Sequence, residues 1–285
     1  MTATSPNATS PSSASSLVGR AGDTVDAPGG VVWALRDSWN EATRHLRAVP
    51  RSPELLLFAT LQPIMFVLLF NYVFGGAIAV PGYSSYTQYL IPGVFAQTVV
   101  FGSAFTGIGI AEDLQKGFID RLRSLPISQG AVLIGRTMSD MVRNVLTFLV
   151  MLGVSFLIGF RFEGGLAKGL LATALLLGFS YSFSWIQALI GLSVKSVEAA
   201  NSAGFIWMFP LTFLSSAFVK PENMTSAWLR KVAEWNPFTI VTNAARALYG
   251  GTPVGDTVWQ SIVFAIAITV VFSFLAVRKF KTASH

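Results

Sequence analysis

The sequence predicts an all-α polytopic membrane protein with six transmembrane helices, and three observations carry that reading. The 285 residues are 52% apolar and only 12% charged, with a mean hydropathy of +0.58, whereas soluble domains run near 25% charged. Six apolar runs can be drawn, five of them clear, at 55–75, 89–111, 144–160, 169–192, 202–219 and 258–277. Six crossings divide the basic residues unevenly between the two sides, as a membrane topology requires.

Taken in order, residues 1–30 hold 22 Ala, Ser, Thr, Pro or Gly and no apolar core. That is the composition of a disordered tail, not of a cleaved signal peptide, and the first span is expected to act as the insertion signal. Val32, Leu35, Trp39, Ala42, Leu46 and Val49 then mark one apolar stripe of a helix, with Arg36, Asn40, Arg44 and Arg47 turned away. Pro50 and Pro53 break the chain before the first span. Such a basic amphipathic helix is expected to lie in the cytoplasmic leaflet or against a partner subunit, and the two placements are compatible.

At 1.5 Å per residue most of the six runs can cross a hydrocarbon core of roughly 30 Å. The run at 144–160 is short by itself, and its helix is expected to extend back towards Val132 through Arg136, Asp140 and Arg143, which share one face. Between the second and third spans, Leu114, Phe118 and Leu122 form an apolar edge, with Gln115, Lys116, Asp120 and Arg123 on the other side. Pro126 ends this short helix. By physics alone it fits a groove on a soluble partner and a bed of lipid headgroups equally well.

Between the fifth and sixth spans, Trp228, Leu229, Val232 and Trp235 give a small amphipathic helix, and Asn236-Pro237 breaks it. Phe238, Val241, Ala245 and Leu248 make a second apolar stripe of about 13 residues, or roughly 20 Å, too short to span. A pair of helices that dips in and returns at Gly250-Gly251 is expected. Six crossings put fourteen Lys and Arg on the side of both termini and six on the other, so the pI near 9.8 reports topology with cytoplasmic termini, not nucleic-acid binding.

None of the fourteen acidic residues lies inside the runs as drawn, nor does any Lys or Arg. Pumps driven by protons or ions usually keep a carboxylate at membrane depth, so an ion-coupled secondary multidrug transporter is the weaker alternative. Energy is then expected from another polypeptide. With no cysteine and with histidine only at His45 and His285, no metal site or lipid-acting acid/base constellation can be drawn. No Gly-Lys dipeptide occurs, so no P-loop is present to cradle ATP, and the short tail after Val277 is expected to carry no nucleotide domain. Among the uncharged polar residues within the runs are Gln62, Asn71, Gln97, Thr147 and Gln187. Each suits helix–helix hydrogen bonding first and a cargo path second. Phe95, Phe101, Phe205 and Phe209 offer stacking surfaces.

A set of ordered segments carries a resemblance. They are NYVFGGAI at 71–78, YTQYLIPGV at 86–94, KGFIDRLRSLPIS at 116–128, IGFRFEGG at 158–165, FSYSFSW at 179–185, FPLTFLSSAFV at 209–219, WNPFT at 235–239 and AARAL at 244–248. In their order and spacing the chain resembles the permease subunits of type-2 ABC exporters, in particular the actinobacterial daunorubicin/doxorubicin-resistance permeases. The resemblance implies a transmembrane domain over 31–285 in the plasma membrane, an N-terminal interface helix, a cytoplasmic coupling helix and an extracellular re-entrant pair. It implies pairing with a second permease subunit as a homo- or heterodimer, served by two copies of a separate ATPase that bind ATP and Mg, and no cofactor in this chain. Carried over by position, Lys116, Gly117, Phe118, Asp120, Arg121, Arg123 and Pro126 would contact the ATPase. A cargo path for amphipathic drugs or lipid-like molecules would run past Gln62, Asn71, Gln97, Phe205 and Phe209.

Overall fold

A computed structural model describes residues 53–74, 82–117, 129–219 and 221–282. Among them every regular element is helical: α1 (Pro53–Phe74), α2 (Tyr86–Gly102), α3 (Ala104–Gln115), α4 (Gln129–Leu157), α5 (Leu166–Gly191), α6 (Val197–Phe213), a 3-10 turn (Pro221–Asn223), α7 (Ala227–Trp235), α8 (Pro237–Gly250) and α9 (Thr257–Thr282). The expected tail at 1–30, the stripe at 32–49 and most of the short helix before Pro126 lie outside the described residues.

Among the described residues four helical stretches are long and apolar enough to cross a membrane: Tyr86–Gln115, Val132–Leu157, Leu166–Gly191 and Thr257–Phe280. In α1 the apolar stretch is Leu61–Val73. The run drawn at 202–219 is displaced. Ser196 caps α6 by accepting from the Ala199 amide at 3.1 Å, with Glu198 in the first turn, and the helix ends at Phe213. Its 17 residues reach roughly 25 Å. The third helix does extend back as expected, so Arg136, Asp140 and Arg143 sit within a long helix, as does Asp113 at the end of α3.

α5 is the axle of the bundle and packs against α9, α3, α8, α2, α4 and α6. In its most apolar 18 residues the α2–α3 stretch has 78% of positions buried, whereas α9 has 11% and turns Ile266, Val270 and Phe274 outward. Lipid is as apolar as leucine, so helices in a membrane gain little from hiding apolar surface and associate through close packing. The junction of α3 and α5 shows how. A Cβ on Gly107 would lie 2.6 Å from the Gln187 carbonyl oxygen, and one on Gly191 would run into the Gly107 carbonyl. Gln187 uses its amide as expected, donating to the Gly204 carbonyl of α6 at 3.2 Å.

The pair of short helices is present. Asn236 caps α8 by accepting from the Phe238 amide at 2.8 Å, Pro237 opens the helix, and Gly251 at φ 70° closes it. The apolar stripe of Phe238, Val241, Ala245 and Leu248 is buried, against α2, α5 and α9. The IGFRFEGG segment docks on the same element. The Gly164 amide donates to the Tyr249 carbonyl at 2.8 Å, and Phe162 stacks on the Tyr249 ring at 5.1 Å.

Gly107→Val sets a branched side chain against backbone and is expected to destabilise the chain by about 1–3 kcal/mol or more. Gly153→Ala, with nothing within 4 Å of the added methyl, is expected to stabilise α4 by about 0.5–1 kcal/mol. Thermal unfolding of the purified chain in detergent reads both.

Candidate functional site

Three features lie in series along the Tyr86–Gln115 stretch. The first is a charged knot where α3 ends and α4 begins, on the two flanks of segment 118–128. Arg136 Nη1 donates to Asp113 at 3.0 Å across the two helices, and its Nε donates to Asp140 at 3.2 Å. Arg143 Nη2 donates to the other oxygen of Asp140 at 2.9 Å. Two carboxylates and two guanidinium groups cancel, which is how ionisable groups persist near a membrane interior. Gly109 makes the crossing possible, because a Cβ there would occupy the position of the Arg136 guanidinium.

The second feature is a break between α2 and α3. The Ser103 amide donates to Val100, three residues back, rather than to Val99. The Val99 carbonyl, left out of the ladder, accepts from Asn144 Nδ2 of α4 at 3.1 Å and Ser180 Oγ of α5 at 2.6 Å, and Asn144 also donates to Ser180 at 2.8 Å. Gly102 leaves room for the Asn144 amide. A backbone group freed at membrane depth needs such partners, and helix interruptions at that depth are tolerated only where they are buried in protein.

The third is a row of aromatic rings. Phe101 meets Phe209 at 5.0 Å and Phe205 at 5.6 Å. Phe209 stacks on Phe213 at 6.2 Å, Phe213 on Phe218 at 5.3 Å, Phe218 on Phe70 at 5.3 Å and Phe70 on Phe66 at 5.9 Å. The row joins α1, α2 and α6, and Phe209 and Phe213 are 41% and 46% exposed. It begins beside the knot: Arg143 lies 4.6 Å over the ring of Phe105, one turn along from Phe101.

The expected residues divide accordingly. Phe205 and Phe209 belong to the row, and Gln97, one turn before Phe101, is 7% exposed. Asn71 accepts from Thr87 Oγ1 at 2.5 Å, tying α1 to α2, which is a packing role. Gln62 faces outward from α1. Phe95 lies apart from the row, in the core with Phe148 at 4.9 Å and Phe160 at 5.7 Å. Lys116 pairs with Glu112 at 3.3 Å, and Gly117 turns the chain at φ 66°. Phe118, Asp120, Arg121, Arg123 and Pro126 lie outside the described residues. Asn144, Ser180, Phe213 and Phe218 were not anticipated. A lone Asn at the edge of an apolar run was the available signal for the break.

Comparison with known proteins adds to this geometry. The family description "ABC-2 type transporter" matches residues 40–249. The "Daunorubicin resistance ABC transporter permease protein DrrB1" of Streptomyces coeruleorubidus is 33% identical over 84% of this chain and 83% of its own length. The "Probable doxorubicin resistance ABC transporter permease protein DrrC" of Mycobacterium tuberculosis is 25% identical over 80% of this chain and 82% of its own. The "Probable multidrug ABC transporter permease YbhR" of Escherichia coli is 22% identical over 65% of this chain and 50% of its own.

Asp140 is 7% exposed on its side chain and holds two arginines, while Asp113 and Arg136 are 28% and 25% exposed. Asp140→Asn is expected to cost about 3 kcal/mol and Asp113→Asn about 1 kcal/mol. A double-mutant cycle of Asp113→Asn with Arg136→Gln, read by thermal unfolding, isolates the pair across the two helices.

Proposed function

Because the chain belongs to the ABC-2 type transporter family, we propose that it is the membrane-spanning subunit of an ATP-driven exporter, energised by a separate ATPase. The observation that carries the proposal is the knot. Asp113 and Arg136 clamp together the two flanks of segment 118–128, and the same charges lead through Arg143 to the foot of the aromatic row. A push on that segment has a rigid route into the spans. Spatial continuity supports the route, and a coupling measurement must establish it.

In this reading Lys116, Gly117, Phe118, Asp120, Arg121, Arg123 and Pro126 meet the ATPase. Two ATPase copies serve a pair of permease subunits and bind the ATP and Mg, while this chain holds no cofactor. Counting α1 and α6 with the four long stretches gives six crossings in the plasma membrane, with both termini cytoplasmic and α7–α8 as the outer re-entrant pair. Residues 31–285 form the transmembrane domain. The break at Ser103 lets the inner half of the second span tilt against its outer half. The row from Phe101 to Phe218 then offers amphipathic drugs or lipid-like molecules a stacking surface with a slightly polar edge at Gln97.

The alternative is an ion-coupled transporter. It needs a carboxylate free to bind a proton or cation. Glu112, Asp113 and Asp140, the acids described inside the four long stretches, all pair with Lys or Arg.

Reconstitution of the chain with the ATPase that co-purifies from its native cell tests the proposal. Export should require ATP and persist with no ion gradient; export that follows a proton gradient without ATP would contradict it. Asp120→Ala with Arg121→Ala is expected to leave insertion intact and lower export about tenfold or more, a loss of at least about 1.4 kcal/mol in coupling. Phe209→Ala and Gln97→Leu are expected to change the ranking of chemically distinct cargos several-fold, as contacts of about 1–3 kcal/mol do. An unchanged ranking returns both residues to packing.

A further inference from the structure

The AARAL segment contains a buried charge that the coupling route does not use. Arg246 of α8 is 2% exposed, the most deeply buried charged side chain among the described residues, and it takes part in no ion pair among them. All of its partners are neutral oxygens. Nε donates to the Tyr89 carbonyl at 2.8 Å, and Nη2 donates to the Ala217 carbonyl at 2.7 Å. Nη1 donates to Ser216 Oγ and Asn243 Oδ1, each at 3.2 Å. The guanidinium carbon lies 3.8 Å over the Tyr89 ring.

The cation sits on the segment that leaves α6. Beyond Phe213 the backbone departs from the helix, and its polar groups need partners from other elements. One face of α8 takes charge of the segment that follows. Asn236 Nδ2 donates to the Leu211 and Leu214 carbonyls at 2.6 and 2.9 Å. Thr239 Oγ1 accepts from the Ser216 amide at 3.0 Å, and Asn243 Oδ1 accepts from Ser216 Oγ at 2.7 Å. Positions 236, 239, 243 and 246 are spaced three, four and three apart, a polar stripe running beside the apolar stripe of the same helix. From the other side Tyr89 Oη donates to the Ser216 carbonyl at 2.9 Å, and Gly93 of α2 leaves space for the Ala217 backbone. The next residue, Phe218, is the ring that joins α1 to α6 in the aromatic row.

We propose that Arg246 is the positioning residue that latches the outer end of this row. By holding Ala217 against Tyr89 it seats Phe218 between α1 and α6, and that end opens only when the guanidinium releases both carbonyls. The inference rests on the reading of the row as the cargo path. A guanidinium balanced by dipoles from two separate elements has no comfortable halfway state. Pulling α2 from α8 strands a charge in a dry site, so the stable arrangements are fully seated or fully hydrated.

The chain contains no cysteine, so a single reporter can be placed without first removing any. Thr242 is buried one turn before Arg246, with its hydroxyl unpartnered, and Thr242→Cys exchanges that hydroxyl for a thiol with the loss of one methyl. The complex with its ATPase, in proteoliposomes, is treated with a charged, membrane-impermeant methanethiosulfonate. Labelling of the introduced thiol should be slow without nucleotide and about tenfold faster with ATP and vanadate, as local opening governs access. Adding Arg246→Gln should make labelling fast without nucleotide and abolish export, while the ATPase stays bound and active. Arg246→Lys keeps the charge but cannot bridge both carbonyls, and should fall between the two.

Slow labelling in the Arg246→Gln form, or a lysine form equal to the parent in labelling and export, overturns the latch. If Arg246→Gln fails to assemble, the lysine form decides by itself. Labelling without nucleotide reads the latch whether or not transport occurs, so an inactive parent complex speaks against the export reading alone.

Discussion

A carbonyl released from its helix at membrane depth can turn only to a neighbouring side chain, because the hydrocarbon has no water to offer. The Val99 carbonyl is such a group, and Asn144 and Ser180 meet it from two other helices. Much of the molecule follows from that constraint. It fixes where α2, α4 and α5 touch, at the one-residue interruption between α2 and α3. A hydroxyl also reaches a neighbouring helix where Ser182 of α5 donates to the Ala265 carbonyl of α9 at 2.9 Å. With lipid unable to drive helices together, these satisfied polar contacts and the close approach of Gly107 and Gly191 give the bundle its specificity.

Charge is placed at the two ends of the jointed span and handled differently at each. At one end, arginine and aspartate cancel in a knot that binds α3 to α4. At the other, Arg246 is held by carbonyls of the segment that follows α6 and of the first turn of α2. Within the knot the Asp113–Arg136 pair, about a quarter exposed, can exchange with water at small cost, whereas the Asp140 pairs are buried and hold α4 together. The carbonyl-held arginine cannot, so one end of the stretch can yield where the other resists.

Most of the helices were legible because apolar run length is a strong signal. The runs at 89–111, 169–192 and 258–277 fall within Tyr86–Gln115, within a residue of Leu166–Gly191, and within Thr257–Thr282. The pair of short helices was legible from Asn236-Pro237 and two apolar stripes. The run at 202–219 misled, because hydropathy stays high through the turn after Phe213, where backbone groups are satisfied by α8 and not by helix. The site was less legible. Phe95 and Phe101 look alike in sequence, and only packing sends one to the core and the other to the exposed row. Arg246 counted as one more loop charge, because its meaning lies in carbonyls 157 and 29 residues away.

The central claim is that motion at the coupling end reaches the outer end of the row through the jointed span. Pulsed electron resonance on spin labels in the cysteine-free chain measures this directly, in the complex with its ATPase. One pair would stand at the exposed positions Gln115 and Lys195, the other at Ser84 and Trp228. A coupled span predicts that trapping with ATP and vanadate shifts both distance distributions by about 2 Å or more. A shift confined to the inner pair would contradict it, and the row would then have to open by some route other than the second span.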